Sequence, residues 1–414
     1  MPSIRKSLLQ LTFSGAFMRR WNDKLCPVSL YEIDKQAHKM IAAWLLTELN
    51  GRGLPLQERL RLGYDVMERG LFDYFYRLVI TDIKPPIFYR IRENEANCRE
   101  LTRWVLGELQ PMLDPLGEDF WARFTAYHQT RIRAEPADRI LAAAHFFASG
   151  WEFNLIRPHN LFDEEMDDIA RSFTEHLNSL ADLAGVGELM AGKGSELGRF
   201  ANLCGHLRFQ IRWSSTPRMP ETRVLGHLFL VAAFAYYFSL SIGACKARVL
   251  NNFFAALFHD LPELLTRDII TPVKRSVPEL AGIIRDCENE ELERRVFVPL
   301  RRGGYPELVA RLSYYLGLAT GSEFHETVRD AGGIRKLDSF EELQVRGNDD
   351  ALDPKDGSML KLCDTLAAFM EAHASVQGGI SSANLQEAIA RIRNDLRHKS
   401  VGPVSMGTLL ADFD

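Results

Sequence analysis

The chain has 414 residues, room for roughly two or three domains, and its 46% hydrophobic and 25% charged content is ordinary for a globular protein. A net charge of −5 at pH 7 and a pI near 6.2 do not favour nucleic-acid binding, which usually requires a basic surplus. The six cysteines are scattered and form no CxxC pair, which excludes a zinc ribbon and indicates a reduced, cytoplasmic protein.

Apolar residues recur at three- and four-residue steps along most of the chain, which is the spacing of amphipathic helices. Clear examples lie at 38–49, 139–156, 166–184 and 359–376. Alternating β-branched segments and NG or DG hairpin turns are nearly absent. We therefore predict an all-α fold. No secretory signal is predicted at the start, because no long apolar segment leads to a cleavage site there.

The glycine-rich stretch 185–198 lies between two helical regions and predicts a linker. Its GKGS lacks the spacing of a phosphate-binding P-loop. We therefore divide the chain into a helical domain over 1–190 and a second domain over 191–414.

One segment, 225–245, contains no Asp, Glu, Lys or Arg and is long enough to cross a bilayer. The alternative is a central helix buried on all sides of a helical domain. His227 in its first turn and two tyrosines favour the buried helix, so no membrane contact is expected.

Several features of the first half recur in the second at a nearly constant offset. Arg20 and Trp21 precede His38 and an apolar helix, as Arg212 and Trp213 precede His227 and another. A third match joins 79–87 to 268–277. Three matches in order predict a duplicated unit of about 200 residues. An unrelated helical domain in the first half is the alternative.

The sharpest local feature is an adjacent His259 and Asp260 in an apolar helix, with Glu263 on the same face. His227 opens a second apolar helix and Asp364 interrupts a third, where a bare carboxylate is seldom buried without a partner or a metal. Two imidazoles and two carboxylates from three helices predict a mixed nitrogen and oxygen metal site. Such ligands suit transition metals better than Ca²⁺.

The order His, His-Asp, Asp is similar to the signature of HD-domain phosphohydrolases. The segment HDLPELLTRDIITPVK (259–274) resembles that of bacterial 5′-deoxynucleotidases (the YfbR-like branch), which reads HD-x-x-E-x-x-x-x-D-x-x-T-P-V-K. The Arg-Trp pair fifteen and fourteen residues before the first His is shared as well. The resemblance covers roughly 208–375. It implies an HD-domain helical bundle, preceded by a degenerate copy of the same unit if the first half is a repeat.

The resemblance also implies a role for individual residues. The implied metal ligands are His227, His259, Asp260 and Asp364. Glu263 matches the acid that positions or deprotonates the attacking water, and Arg212 matches a phosphate-contacting arginine. Trp213 matches the aromatic beside the sugar, and Asp268 matches a carboxylate near the sugar hydroxyl. Arg218 and Lys274 are candidate further phosphate contacts.

Each of these residues also has a plainer interpretation. His227 could be a core histidine, Asp364 a surface residue, and Glu263 a first-turn acid favoured by the helix dipole. Trp213 could be simply core, and Arg218 and Lys274 could be solvated. One divalent transition metal (Mn, Co, Zn, Fe or Ni) is expected, since the additional histidines of dinuclear HD enzymes are not found.

In the first half the His-Asp position falls on Arg69 and Gly70, so that copy would bind no metal. It could take the place of a partner subunit and form a pseudo-dimer within the chain, with a homodimer as the alternative. The expected function is hydrolysis of a nucleotide phosphate ester, in particular a deoxynucleoside 5′-monophosphate. Alternatives are another HD reaction, on a triphosphate or a cyclic nucleotide, or a nucleotide-sensing or scaffold protein.

Overall fold

The computed structural model describes residues 2–81, 83–130, 132–266, 277 and 279–414, with only the backbone of residue 89. The helices of the first half are α1 (Lys6–Ser14), α2 (Glu32–Asn50), α3 (Leu56–Ile80), α4 (Pro85–Glu93), α5 (Glu95–Leu113), α6 (Glu118–Gln129), α7 (Pro136–Ile156), α8 (Glu165–Asn178) and α9 (Val186–Ala191). Those that follow are α10 (Glu196–Gly205), α11 (Val224–Ser241), α12 (Lys246–Phe258), α13 (Glu263–Thr266), α14 (Leu280–Leu292), α15 (Val298–Arg302), α16 (Pro306–Tyr315), α17 (Phe340–Glu342), α18 (Gly357–Gln377), α19 (Ala383–Leu396) and α20 (Met406–Ala411). The predicted all-α fold is confirmed.

Strands are confined to three short antiparallel pairs in the described part of the chain. They are β1 (Arg19–Arg20) with β2 (Leu30–Tyr31), β3 (Thr327–Asp330) with β4 (Gly333–Lys336), and β5 (Ser400–Val401) with β6 (Val404–Ser405). Several helices are preceded by an N-cap residue whose side chain accepts a hydrogen bond from a backbone N–H of the first turn. Examples are Asn94, Ser195 and Ser382. The sequence thus marks these starts locally.

Helix α11 is the centre of the molecule and packs against α2, α12 and α18. It is the one helix of the described residues that is long and apolar enough to cross a membrane, and 94% of that window is buried inside the protein. Burial on every side explains its uniform apolar character without a bilayer.

The local geometry before α2 is repeated before α11. Arg19 pairs with Tyr31 across β1 and β2, and an isolated bridge pairs Ile211 with Arg223 at the equivalent positions. Trp21 and the equivalent Trp213 both have a positive φ, 55° and 57°. A non-glycine residue seldom adopts this conformation, so its recurrence at equivalent positions is informative.

Helices α2 and α11 meet at equivalent residues. A Cβ on Gly226 would lie 2.7 Å from Oδ1 of Asp34, its equivalent in α2. The guanidinium of Arg223 lies 5.2 Å from the ring centroid of its own equivalent, Tyr31. Contacts between equivalent residues are what a two-fold relation produces. The division into units 1–190 and 191–414 stays a prediction that this geometry supports.

The helix starts change one detail of the expected repeat. Because α2 begins at Glu32 and α11 at Val224, the residue equivalent to His227 is Lys35, and not His38. His38 lies one turn deeper, where Ala201 O is 2.9 Å from its Nε2 and the ring packs edge-on against Phe147. Burial lowers the pKa of His38 to about 3, as expected for a core histidine.

The glycine-rich stretch 185–198 is not the open linker that its composition predicts. It contains α9 and the beginning of α10. Gly185 and Gly192 have positive φ angles of 97° and 55°, which let the chain reverse direction at both ends of α9. A Cβ at Gly198 would lie 2.4 Å from the Gly192 carbonyl oxygen, so the glycines serve tight packing between helices.

Candidate metal centre

His227 and Asp364 face each other across the packed helices α11 and α18. Nε2 of His227 lies 3.1 Å from Oδ1 of Asp364. His227 is only 1% exposed, whereas the side chain of Asp364 is 19% exposed. The pair is therefore buried on the histidine side and open to solvent on the carboxylate side.

His259 follows the last residue of α12, and its ring is fixed by one hydrogen bond. Nδ1 lies 2.7 Å from the Ala256 carbonyl oxygen, which can only accept, so Nδ1 carries the proton. Nε2 therefore presents a lone pair. This atom is buried and has no hydrogen-bond partner among the described residues. An unpaired imidazole nitrogen held in this way is typical of a metal ligand.

Three of the predicted ligands, His227, His259 and Asp364, form one group, and Asp260 borders it. Oδ2 of Asp260 lies 3.3 Å from Nε2 of His259 and 3.9 Å from Nε2 of His227. Oδ1 of Asp364 is 3.9 Å from Nε2 of His259. Bonds of about 2.0–2.2 Å to one ion require ligand atoms about 3–4.4 Å apart, and these separations fall in that range. The donor set and its geometry fit one transition metal ion.

The buried residue Glu371 connects this centre to the Arg-Trp pair. Its carboxylate accepts hydrogen bonds from Arg212 Nε at 3.2 Å, Trp213 Nε1 at 2.8 Å and Thr222 Oγ1 at 2.9 Å. It also lies 3.4 Å from Nδ1 of His227. Glu371 therefore orients the imidazole from the side opposite the metal site.

Glu371 was not predicted as a functional residue. It lies seven residues after Asp364, two helical turns along the same face of α18. A second carboxylate in register within an apolar helix is the signal that would have found it. The charged side chain is fully buried, and such a group requires several partners.

Arg212 stands between Glu371 and the metal ligands. Its Nη1 lies 3.6 Å from Oδ2 of Asp260. Burial lowers the pKa of Arg212, but the charges of Glu371 and Asp260 outweigh burial and raise it. The guanidinium is thus permanently charged beside the site, and its side chain is 13% exposed.

The charges of the centre reinforce each other. Burial and Arg212 lower the pKa of His227, but hydrogen bonds with Asp364 and Glu371 outweigh them, and the net pKa is raised. Burial raises the pKa of Asp364, but the His227 hydrogen bond and Lys361 hold it well below its ordinary range. Both carboxylates opposite His227 are therefore ionised, as metal ligation requires of Asp364.

Glu263 and Arg218 border the centre. Glu263 begins α13, is 8% exposed, and its backbone carbonyl accepts a 3.0 Å hydrogen bond from Gln210. Its charge also contributes to the raised pKa of Arg212. Arg218 lies behind Trp213, 5.5 Å from the ring centroid, and donates to the Arg212 carbonyl oxygen. Arg218 thus holds the Arg-Trp loop in place.

Two predicted substrate contacts, Asp268 and Lys274, lie outside the described residues, as does most of the 268–277 segment of the predicted repeat. Among the described residues, the group assembled for a metal ion contains His227, His259 and Asp364. Two further histidines of the second half, His325 and His373, are not in this group. The His373 ring packs edge-on against Phe413, with Nε2 3.2 Å from the carbonyl oxygen of that residue.

Comparison with known protein families agrees with this site. Residues 204–393 match a family model described as HD domain. This match supports an HD domain within the second half of the chain. HD domains bind divalent metals and are in general metal-dependent phosphohydrolases. No curated protein and no solved structure matches the chain.

Proposed function

We propose that the HD domain hydrolyses the phosphate ester of a nucleotide, in particular a deoxynucleoside 5′-monophosphate. One observation carries this proposal: the guanidinium of Arg212 lies 3.6 Å from Asp260, at the edge of the predicted metal site. A phosphate between the metal site and Arg212 would meet positive charge on two sides. Arginine suits this position because its planar fork matches phosphate oxygens.

His227, His259, Asp260 and Asp364 would hold one divalent transition ion (Mn, Co, Zn, Fe or Ni). A bound ion of this kind polarises a phosphoryl oxygen and lowers the pKa of bound water. The protein supplies the remaining functions. We assign Glu263 to orienting or deprotonating the attacking water.

Trp213, whose ring is held by Glu371 and Arg218, is assigned to the sugar of the substrate. Asp268 and Lys274 stay candidates for the sugar hydroxyl and the phosphate, and Arg218 for a further phosphate contact. The Arg-Trp loop would then set specificity, because a rigid aromatic face can exclude a 2′-hydroxyl by contact.

The test measures phosphate release from ribo- and deoxynucleoside mono-, di- and triphosphates and cyclic nucleotides, with each of the five metals and with EDTA. We expect turnover of deoxynucleoside monophosphates that EDTA abolishes. Preference for triphosphates or cyclic nucleotides would contradict the substrate proposal and leave the metal site intact. Binding of nucleotides without turnover under every condition would contradict the enzyme proposal and indicate a nucleotide-sensing function instead.

We further propose a cytoplasmic protein whose two halves form a pseudo-dimer within one chain. The contacts between equivalent residues of α2 and α11 support this arrangement. Sedimentation equilibrium tests it: a mass of one chain, 47.1 kDa, is expected, and a stable homodimer would contradict it.

A further inference from the structure

Two neighbouring sets of ion-paired side chains, all from the first half except Arg208, surround Lys35 and Lys39. Their members, named here the basic cluster, are the cations Arg20, Lys35, Lys39, Arg133 and Arg208 and the carboxylates Glu32, Asp73 and Glu152. Each carboxylate pairs with at least one of these cations. With Arg77, which also contacts Glu32, and the buried Asp34, which interacts with Arg208, six cations face four carboxylates, so a positive excess remains.

The excess charge is concentrated at Lys35. Its side chain is 3% exposed, and its nearest carboxylate among the described residues, 3.8 Å away, belongs to Glu32. That carboxylate already contacts Arg20 at 2.6 Å and Arg77 at 3.4 Å. Burial lowers the pKa of Lys35 to about 7, and the charge of Glu32 only partly opposes this. An anion bound beside Nζ would favour the charged form of this amine and supply the counter-charge that Glu32 provides only in part.

The basic cluster occupies the place that the metal centre has in the second half. Lys35 is the residue equivalent to His227 when the starts of α2 and α11 are matched. His145 lies seven residues before Glu152 on α7, as Asp364 lies seven residues before Glu371 on α18. Nζ of Lys35 is 2.9 Å from Nδ1 of His145, which corresponds to the 3.1 Å contact between His227 and Asp364. The amine of Lys35 therefore lies where the second half has a predicted metal ligand.

The Arg-Trp pair nevertheless contacts a buried carboxylate in the first half as it does in the second. Arg20 Nε and Trp21 Nε1 donate to Glu152 at 2.7 and 3.0 Å, as the second Arg-Trp pair does to Glu371. The side chain of Arg20 is 11% exposed, close to the 13% of Arg212. The side chain of Arg133 is 23% exposed, so the cluster reaches solvent.

We propose that the basic cluster is a metal-independent binding site for a phosphate monoester dianion, with Lys35 in the role of the divalent ion. Arg20 would share the phosphate oxygens with Lys35. The described residues assemble one group of metal ligands, and it lies in the second half, so the basic cluster binds without hydrolysis. The proposal does not depend on the activity of the HD domain.

The test uses the full chain treated with EDTA and isothermal titration with two probes, inorganic phosphate and a deoxynucleoside 5′-monophosphate. We expect one phosphate-binding event per chain that persists without metal. Lys35→Met should weaken it about tenfold or more, because a buried charge-assisted contact to phosphate is lost. Lys35→Arg should retain part of the affinity. Lys399→Met, at an exposed lysine outside both sites, is the control and should leave affinity unchanged.

Thermal unfolding of Lys35→Met verifies that the variant is folded, which we expect because an apolar replacement of a buried charge is usually tolerated. Arg20→Lys, which keeps the charge but removes the planar fork, gives a second and milder loss. Tighter binding of the nucleotide than of phosphate would place the nucleoside against Trp21, and equal affinities would identify phosphate itself as the ligand. No metal-free binding at millimolar phosphate, or unchanged binding in Lys35→Met, would overturn the proposal.

Discussion

At the scale of single residues, Glu371 determines how the metal centre is held. One carboxylate accepts hydrogen bonds from the arginine and the tryptophan of the Arg-Trp loop and lies against the imidazole of His227. Burial raises the pKa of Glu371, but Arg212 and His227 hold it well below its usual range. The residue is therefore a fixed negative charge that contacts no solvent.

Glu371→Gln should weaken metal binding about 10–100-fold and lower kcat, because the amide cannot hold His227 and Arg212 together. Competition with a metal-binding dye measures the affinity. Glu152→Gln removes the equivalent carboxylate of the first half and should leave metal affinity near the wild-type value. Equal metal affinity in Glu371→Gln and wild type would show that Glu371 only supports the fold.

Glu263→Ala should retain the metal and lose about 10²–10⁴ in kcat, the usual cost of removing a general base. Elemental analysis and turnover of the best substrate separate the two effects. Glu290→Ala, at an exposed position on α14, serves as the control. Unchanged turnover would leave Glu263 as a helix-terminal acid.

At the scale of elements, the sequence predicted the all-α fold. The choice of metal ligands stays a prediction, which the short distances among them support. Apolar helices interrupted by His227 or Asp364 are informative because a buried charge needs a partner. The sequence did not predict Glu371 or Lys35, because the position of a residue in its own helix does not reveal what lies opposite. The expected match of His38 to His227 relied on residue identity, whereas helix starts and β-bridges decide the register.

The crossing of α2 and α11 gives a test at this scale. Gly226→Ala should destabilise the protein by about 1–3 kcal/mol, since the added Cβ would lie 2.7 Å from both Ile33 and Asp34. Gly107→Ala in α5 meets nothing within 4 Å and should be neutral or stabilise by up to about 1 kcal/mol. Urea unfolding of both variants measures the difference. Equal stability would mean that the crossing can open without cost.

At the scale of the whole molecule, the two halves share one apolar core. Helix α11 is buried by helices from both halves, with α2 on one side and α12 and α18 on the other. The sequence indicated two units but could not show how they meet, because an apolar helix does not specify which helices surround it. A chain of two repeated units can therefore be one folding unit.

Residues 207–414 expressed alone should aggregate or self-associate, because the face of α11 that packs on α2 would be exposed to water. Co-expression with residues 1–206 should restore a soluble complex. Size-exclusion chromatography with light scattering measures both. A monomeric, cooperatively unfolding 207–414 fragment would contradict the shared core.

One short backbone segment reaches both halves. Arg208 donates to Glu152 at 2.7 Å, and four residues later Arg212 donates to Glu371 at 3.2 Å. Glu152 accepts hydrogen bonds from both Arg20 and Arg208. A ligand that drew Arg20 away from Glu152 would change the Arg208–Glu152 contact and, through the backbone, the position of Arg212. Occupancy in one half would then alter affinity in the other, and linkage requires the reverse effect to have the same factor. A phosphate bound at the basic cluster, where it is not hydrolysed, would then regulate hydrolysis at the metal centre.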